Sequence, residues 1–191
     1  MKNNAFENYL KDTGAILKGH FLLTSGLHSD TYIEKFRVLE YPLLTEKLCK
    51  AIAEHFQETK PHLVVGAATG GVIISHVVAR LLTCRSIFAE RENDRLTFRR
   101  GFKINPKERV LIVDDVLTTG SSLYELIDLV VKQEGMIVGI GVFIDRSGGR
   151  ANFGIPYFPL LKLDIPVYKP EECPLCRQNI PLEVRGRTGK R

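Results

Sequence analysis

At 191 residues the chain is long enough to bury a core and short enough to read as one domain with a small appendage. Hydrophobic residues at 44% and charged residues at 26% are ordinary for a globular protein, and no apolar run approaches the ~20 residues that a membrane span requires. The net charge of +5 falls close to neutral once Arg185, Arg187, Lys190 and Arg191 are set aside as a tail, so composition argues for neither a nucleic-acid nor a membrane partner, and four cysteines do not make a disulfide scaffold.

The first eighteen residues are polar and amphipathic, without the apolar stretch of a secretory signal, and the expected location is the cytoplasm. Residues 4–13 predict a short helix with Asn4 as its cap and Phe6, Tyr9 and Leu10 along one side. Residues 16–24 predict a strand, broken at Ser25-Gly26. Residues 27–37 mix polar and aromatic side chains, an awkward composition for core and a plausible one for a binding flap. Pro42 opens a helix, where its missing N–H costs little, and Leu44, Leu48, Ala51, Ile52 and Phe56 mark the buried side.

Residues 63–68 are a short apolar strand, turning at Thr69-Gly70-Gly71 into a helix through Ile74, Val77, Val78 and Leu81. Residues 86–89 form another strand, after which 90–102 are charged, irregular and unlike a core element. Next comes R-V-L-I-V-D-D-V-L-T-T-G-S-S, residues 109–122, in which an unbroken apolar run meets Asp114 and Asp115 and then a hydroxyl-rich turn. Leu123, Leu126, Ile127, Val130 and Val131 continue it at helical spacing. Residues 136–144 are a buried strand ending in Asp145-Arg146-Ser147-Gly148-Gly149, and 158–163 are one more candidate. Three strands ending in polar turns predict an α/β fold, a mainly parallel open sheet flanked by helices. The expected organisation is one domain, with residues 1–40 as a small amino-terminal hood, 60–165 as the core sheet and 166–191 as a carboxyl-terminal extension.

The strand–turn–helix at 109–135 puts its polar residues where an open parallel sheet binds small ligands. Thr118, Thr119, Gly120, Ser121 and Ser122 offer backbone N–H groups and hydroxyls at a helix amino end, which favours a phosphate. Asp114 and Asp115 are ill suited to unpaired burial and can accept hydrogen bonds from hydroxyls. A phosphate beside a diol-binding pair of acids describes a ribose 5-phosphate. Other phosphate motifs do not fit. No G-x-x-x-x-G-K-[ST] occurs, and Gly139 and Gly141 lie inside a strand without the third glycine of a dinucleotide fingerprint. A receiver domain would carry its acidic pair near the first strand.

Residues 110–122 resemble the phosphoribosyl-pyrophosphate motif of the type I phosphoribosyltransferases. Within that family, Phe143-Ile144-Asp145-Arg146 with Gly148-Gly149, and F-L-L-T-S-G-L-H-S-D-T-Y at 21–32, resemble the orotate-specific members. The resemblance implies transfer of the 5-phosphoribosyl group of phosphoribosyl pyrophosphate to orotate, with Mg²⁺, in a homodimer. It implies that Asp114 and Asp115 hold the ribose hydroxyls, that Val116, Leu117, Thr118, Thr119, Gly120, Ser121 and Ser122 complete the phosphoribosyl-pyrophosphate site, and that Thr118 and Arg146 meet orotate. It makes Thr69, Gly70 and Gly71 the pyrophosphate loop and 90–102 a mobile loop reaching the site through Arg91. That loop departs from the commoner pattern, with Arg91, Arg95, Arg99 and Arg100 but no histidine, and Thr24 stands where many members have lysine. The alternatives are a phosphoribosyltransferase for another base and a non-catalytic nucleotide- or RNA-binding regulator.

Two features stand apart. Cys173-Pro174-Leu175-Cys176 has the spacing of half a zinc site, but no second C-x-x-C and no close histidine pair completes it, so no protein metal site is assigned and a structural zinc stays an alternative. Of the five scattered histidines, His28 is the one placed for substrate contact.

Overall fold

A computed structural model describes residues 3–23 and 25–185. Helix α1 (Asn3–Asp12) leads into strands β1 (Ile16–Leu22) and β2 (His28–Ile33), the one-turn α2 (Phe36–Leu39) and α3 (Pro42–Phe56). The middle of the chain runs β3 (Leu63–Ala67), α4 (Gly70–Leu82), β4 (Arg85–Glu92), β5 (Arg95–Phe98), β6 (Arg109–Leu117), α5 (Ser121–Lys132), β7 (Met136–Asp145) and β8 (Tyr157–Lys162). Two-residue strands β9 (Val167–Tyr168) and β10 (Glu183–Val184) flank the short α6 (Pro174–Arg177).

The main sheet has the order β5-β4-β3-β6-β7-β8 and is parallel except for β5, which returns antiparallel on β4. The apolar run in β6 is unbroken because both of its faces are covered. Leu111 and Val113 pack with α1, α3 and α4, whereas Val110 and Ile112 pack with Leu123, Leu126 and Val130 of α5. Gly139 and Gly141 serve this packing: a Cβ at Gly139 would fall 2.2 Å from the Phe56 ring, and one at Gly141 would fall 2.6 Å from Ile52 Cγ2. Their missing side chains let α3 lie close on β7.

A second, smaller sheet runs β10-β1-β2-β9. The hood is therefore not the first forty residues alone, because both of its outer strands come from the carboxyl-terminal extension. Phe21 pairs with Glu183 in parallel, and His28 pairs with Tyr168 antiparallel. The polar and aromatic stretch expected as a flap is β2, with His28, Ser29, Thr31 and Ile33 buried. Three further expectations shift. Helix α1 begins at Asn3, so Asn4 lies within it. Gly70 and Gly71 form the first turn of α4 rather than a loop. Residues 90–98 are a regular hairpin, β4–β5, whose two-residue turn places Asn93 and Asp94 at φ 47° and 62° and whose Leu96 is buried. A turn with both central residues at positive φ matches the twist of paired strands, and Asn-Asp tolerates it better than most pairs.

Candidate active site

The carboxyl ends of β3, β6 and β7 lie side by side, with Gly66 opposite Val113 and Leu117 opposite Asp145. The three polar turns of the chain therefore open onto one edge of the sheet. Asp114 and Asp115 close the β6 run and are 8% and 4% exposed. Asp114 Oδ1 accepts from the Asp115 N–H at 3.0 Å, and Asp115 Oδ1 accepts from the Val116 N–H at 2.7 Å. The other Asp115 oxygen, Oδ2, meets Lys35 Nζ at 2.7 Å. Burial alone would lower the Lys35 pKa, but attraction and hydrogen bonding to Asp115, with Asp114 and Tyr32 adding to them, raise it above the ordinary lysine value.

Beyond Leu117 the chain turns through exposed Thr118 and Thr119 to Gly120 at φ +84°. That conformation is open to glycine at little cost, and a Cβ would also press on the Tyr124 ring at 3.1 Å. Gly120 at the N-cap has no side chain to cap α5, and the hydroxyls of Thr119 and Ser121, 3.4 Å apart, stand over its amino end, where Thr119 Oγ1 also accepts the Ser121 N–H at 3.4 Å. Such an end offers unpaired N–H groups and the positive end of the helix dipole to an anion.

The β3–α4 turn is built on close backbone approach. A Cβ at Gly66 would fall 2.1 Å from the Gly71 carbonyl oxygen, and one at Gly70 would fall 1.9 Å from Asp115 Oδ2. The Ala68–Thr69 peptide is cis. Thr69 is exposed and α4, like α5, has no side-chain cap. Two uncapped helix ends thus face the same edge, with the Asp115 carboxylate pressed against the backbone between them.

Arg146 follows β7, its N–H donating to the Leu117 carbonyl at 2.8 Å. Burial pushes its guanidinium below the ordinary arginine value, against the attraction of Tyr32, and its Nε is buried with no protein partner. Tyr32 is itself shifted up by burial and Glu34, while Lys35, Arg185 and Arg146 pull the other way. Lys35 and Tyr32 reach this edge from the hood. Sequence reading marked their segment as a flap but singled out neither, and Lys35 had a signal only as a cation within an aromatic stretch.

Arg91 does not reach from a free loop. Its guanidinium forks onto Glu125 of α5, Nη2 to Oε1 at 2.8 Å and Nη1 to Oε2 at 3.3 Å, and Glu125 Oε2 also accepts the Leu96 N–H at 2.8 Å. Arg100 and Arg99 pair within the hairpin, with Glu90 and Glu92. His28 is likewise not an open contact residue: it is 5% exposed and meets His20, Cys173 and Cys176 inside the hood. Thr24 and the tail beyond Arg185 lie outside the described residues.

A family model described as the phosphoribosyl transferase domain matches residues 37–158. The chain is 47% identical over 186 residues to a protein of Caldicellulosiruptor bescii named orotate phosphoribosyltransferase, covering 97% of this chain and 98% of that one. It is similar in fold to the crystal structure of orotate phosphoribosyltransferase from Aeropyrum pernix, with TM-score 0.67 and 26% identity over 82% of this chain and 93% of that one. It also superposes on adenine phosphoribosyltransferase from Rhodothermus marinus, with TM-score 0.66 and 24% identity over 84% and 100% of the two chains. That last likeness speaks for the fold alone.

Proposed function

Because the chain belongs to the phosphoribosyl transferase family, among its orotate phosphoribosyltransferases, we propose that it is a pentosyl-transferring enzyme that moves the 5-phosphoribosyl group of phosphoribosyl pyrophosphate onto orotate. A ring nitrogen of orotate bonds to C1 of the ribose and gives up its proton, the C1–O bond to pyrophosphate breaks, and the departing pyrophosphate takes that bond's electron pair and can take the proton. The products are orotidine 5'-monophosphate and pyrophosphate, a step toward the pyrimidine nucleotide UMP. Positive charge develops on the sugar ring as the bond breaks, so the site must grip both ends of the ribose and receive the leaving charge.

In this reading the uncapped start of α5, with Thr118, Thr119, Gly120, Ser121 and Ser122, takes the 5-phosphate, and Asp114 and Asp115 take the ribose hydroxyls. Val116 and Leu117 carry the backbone between them, and Thr118 lies beside the base. Thr69, Gly70 and Gly71 supply backbone N–H groups to the pyrophosphate. The Lys35–Asp115 pair favours this arrangement, since a cation held against the inner acid adds positive potential where pyrophosphate departs. Arg91 enters only by leaving Glu125, which makes the hairpin a mobile element on demand.

Mg²⁺ belongs to the same reading. A hard cation takes oxygen ligands and keeps close to carboxylates and phosphates, and the edge offers the Asp114 and Asp115 carboxylates with no thiolate or imidazole among them. Those acids would hold it together with the substrate, and it would supply neutralisation of the pyrophosphate charge. The resemblance favours a homodimer in the cytoplasm, and no helix among the described residues is long and apolar enough to cross a membrane.

The observation that carries the choice of base is Arg146, a largely desolvated guanidinium with an unpartnered Nε at the strand edge. Such a group calls for a planar carboxylate, which orotate has and an unsubstituted purine lacks. Loss of orotate absorbance with phosphoribosyl pyrophosphate and Mg²⁺ tests it. The wild type should consume orotate, and Arg146→Ala should lose about 10- to 100-fold in kcat/KM for orotate, the range for a charge-assisted hydrogen bond. Turnover of a purine base without turnover of orotate would overturn the assignment.

A further inference from the structure

Four side chains that lie 156 residues apart in sequence at the extremes meet inside the hood: His20 on β1, His28 on β2, Cys173 just before α6 and Cys176 within it. Their ligating atoms all lie within 4.8 Å of one another. His20 Nε2 is 3.5 Å from Cys173 Sγ and 3.7 Å from Cys176 Sγ, and His28 Nδ1 is 3.3 Å from Cys176 Sγ. The two ring nitrogens are 2.9 Å apart. We propose that His20, His28, Cys173 and Cys176 form a tetrahedral, structural Zn²⁺ site that staples the carboxyl-terminal extension to the hood. This goes beyond the transferase reading and shares no residue with that site.

The geometry fits without rebuilding. Bonds of about 2.3 Å to sulfur and about 2.0 Å to nitrogen around a tetrahedron set nitrogen and sulfur ligands about 3.5 Å apart. The three nitrogen–sulfur separations bracket that value. Of these four separations the imidazole pair alone must open, by a few tenths of an ångström, to reach the roughly 3.3 Å of two nitrogen ligands. The His20 tautomer is set from outside the cluster: Nδ1 lies 2.8 Å from the Ile180 carbonyl oxygen and donates to it, so Nε2 points its lone pair at both sulfurs. Orientation of a ring by its second nitrogen in this way is usual for metal-bound histidine.

Burial and charge agree with this. His20, His28 and Cys173 are 2%, 5% and 0% exposed, and Cys173 and Cys176 form no disulfide. Thiols are weak donors and weak acceptors, so two thiols and two imidazoles satisfy one another poorly in a buried space. A divalent cation meets all four lone pairs, and two thiolates cancel its charge. A Cys₂His₂ set with no open position selects zinc and serves structure rather than catalysis. The hood needs such a staple, because β9 and β10 are two residues each and neither could hold the extension by backbone pairing alone.

The full chain, expressed with zinc in the medium and purified without chelator, should retain about one zinc per chain by elemental mass spectrometry, as a single closed site requires. After exchange into Co²⁺, it should show the intense visible bands of tetrahedral cobalt and near-ultraviolet thiolate charge transfer. Cys173→Ser and Cys176→Ser should fall to background zinc, whereas Cys84→Ser should keep the full amount. Since a ligand variant can fail to fold, the wild type is also stripped by chelator and probed by limited proteolysis. Cleavage beyond residue 165 should accelerate and be reversed by Zn²⁺ but not by Mg²⁺. Zinc at background in the wild type, an octahedral cobalt spectrum, a Cys173–Cys176 disulfide in fresh protein, or cleavage unchanged by stripping would each overturn the proposal.

Discussion

Replacing Lys35 with methionine removes a charge while keeping most of the side chain's length, and so isolates the ion pair to Asp115. The pair is tight at 2.7 Å, with the lysine side chain 37% and the aspartate side chain 5% exposed. Exposed pairs contribute about 0.2–1 kcal/mol, and stripping the partner from a fully buried charge costs about 3–5 kcal/mol. One end here is buried and keeps the Val116 N–H as a second partner, while the other end is screened by solvent. The loss should therefore be about 1–3 kcal/mol at pH 7. The pH dependence follows from the raised Lys35 pKa. A group whose folded pKa exceeds its unfolded value, 10.5 for lysine, contributes fully below that value and loses its contribution as pH rises through the folded pKa. Urea unfolding of wild type and Lys35→Met, followed from pH 7 into the alkaline range, should show a gap that is constant below pH 10.5 and closes above it. A gap under about 0.5 kcal/mol at pH 7, or one that persists at high pH, would refute the pairing as described.

Gly70→Ala should destabilise the chain by about 1–3 kcal/mol, the range for overpacking, and reduce kcat/KM for phosphoribosyl pyrophosphate more than it reduces stability. The new Cβ lands 1.9 Å from Asp115 Oδ2, on a carboxylate that cannot move without leaving Lys35; thermal unfolding and pyrophosphate release measure the two effects, and wild-type values for both would count against the close approach. Glu125→Ala should free the β4–β5 hairpin by removing the fork to Arg91 and the acceptor of the Leu96 N–H together. Amide exchange at Leu96 should quicken by about tenfold for a lost hydrogen bond, and an unchanged rate would mean that the hairpin is held by strand pairing alone.

The core was legible because its elements are local. An apolar run that ends in acids and a glycine turn, followed by helical spacing, reads directly as β6–turn–α5, and the same holds for β3–α4 and for β7. What the sequence hid is long-range. Residues 90–102 looked irregular because alternating charges mask a hairpin whose only buried apolar anchor in β5 is Leu96; the Asn93-Asp94 pair was its one local signal. Lys35 stands eighty residues from Asp115, and no spacing rule joins them. The half-site at Cys173 and Cys176 looked incomplete because its histidines are not a close pair in sequence: they sit eight residues apart, on adjacent antiparallel strands that bring them together only after β1 and β2 have paired.

The extent of the family match sharpens the division of labour. It runs from residue 37 to residue 158 and so includes the two acids, the α5 turn, the β3–α4 turn and Arg146. It stops short of Tyr32 and Lys35 on one side and of Cys173 and Cys176 on the other. The two acids and both polar turns thus belong to a core built from consecutive βα units, whereas the inner acid's charge partner comes from the hood. The hood in turn is closed by residues from both ends of the chain, with His20 and His28 packed against Cys173 and Cys176. Whatever holds that cluster together also fixes β2, and β2 leads within two residues to Lys35. Loosening the staple should therefore weaken the Lys35–Asp115 pair without touching any residue of the crevice. In metal-stripped protein, the stability gap between wild type and Lys35→Met at pH 7 should shrink toward the exposed-pair range of about 0.2–1 kcal/mol. An undiminished gap would mean that the core sheet alone positions Lys35.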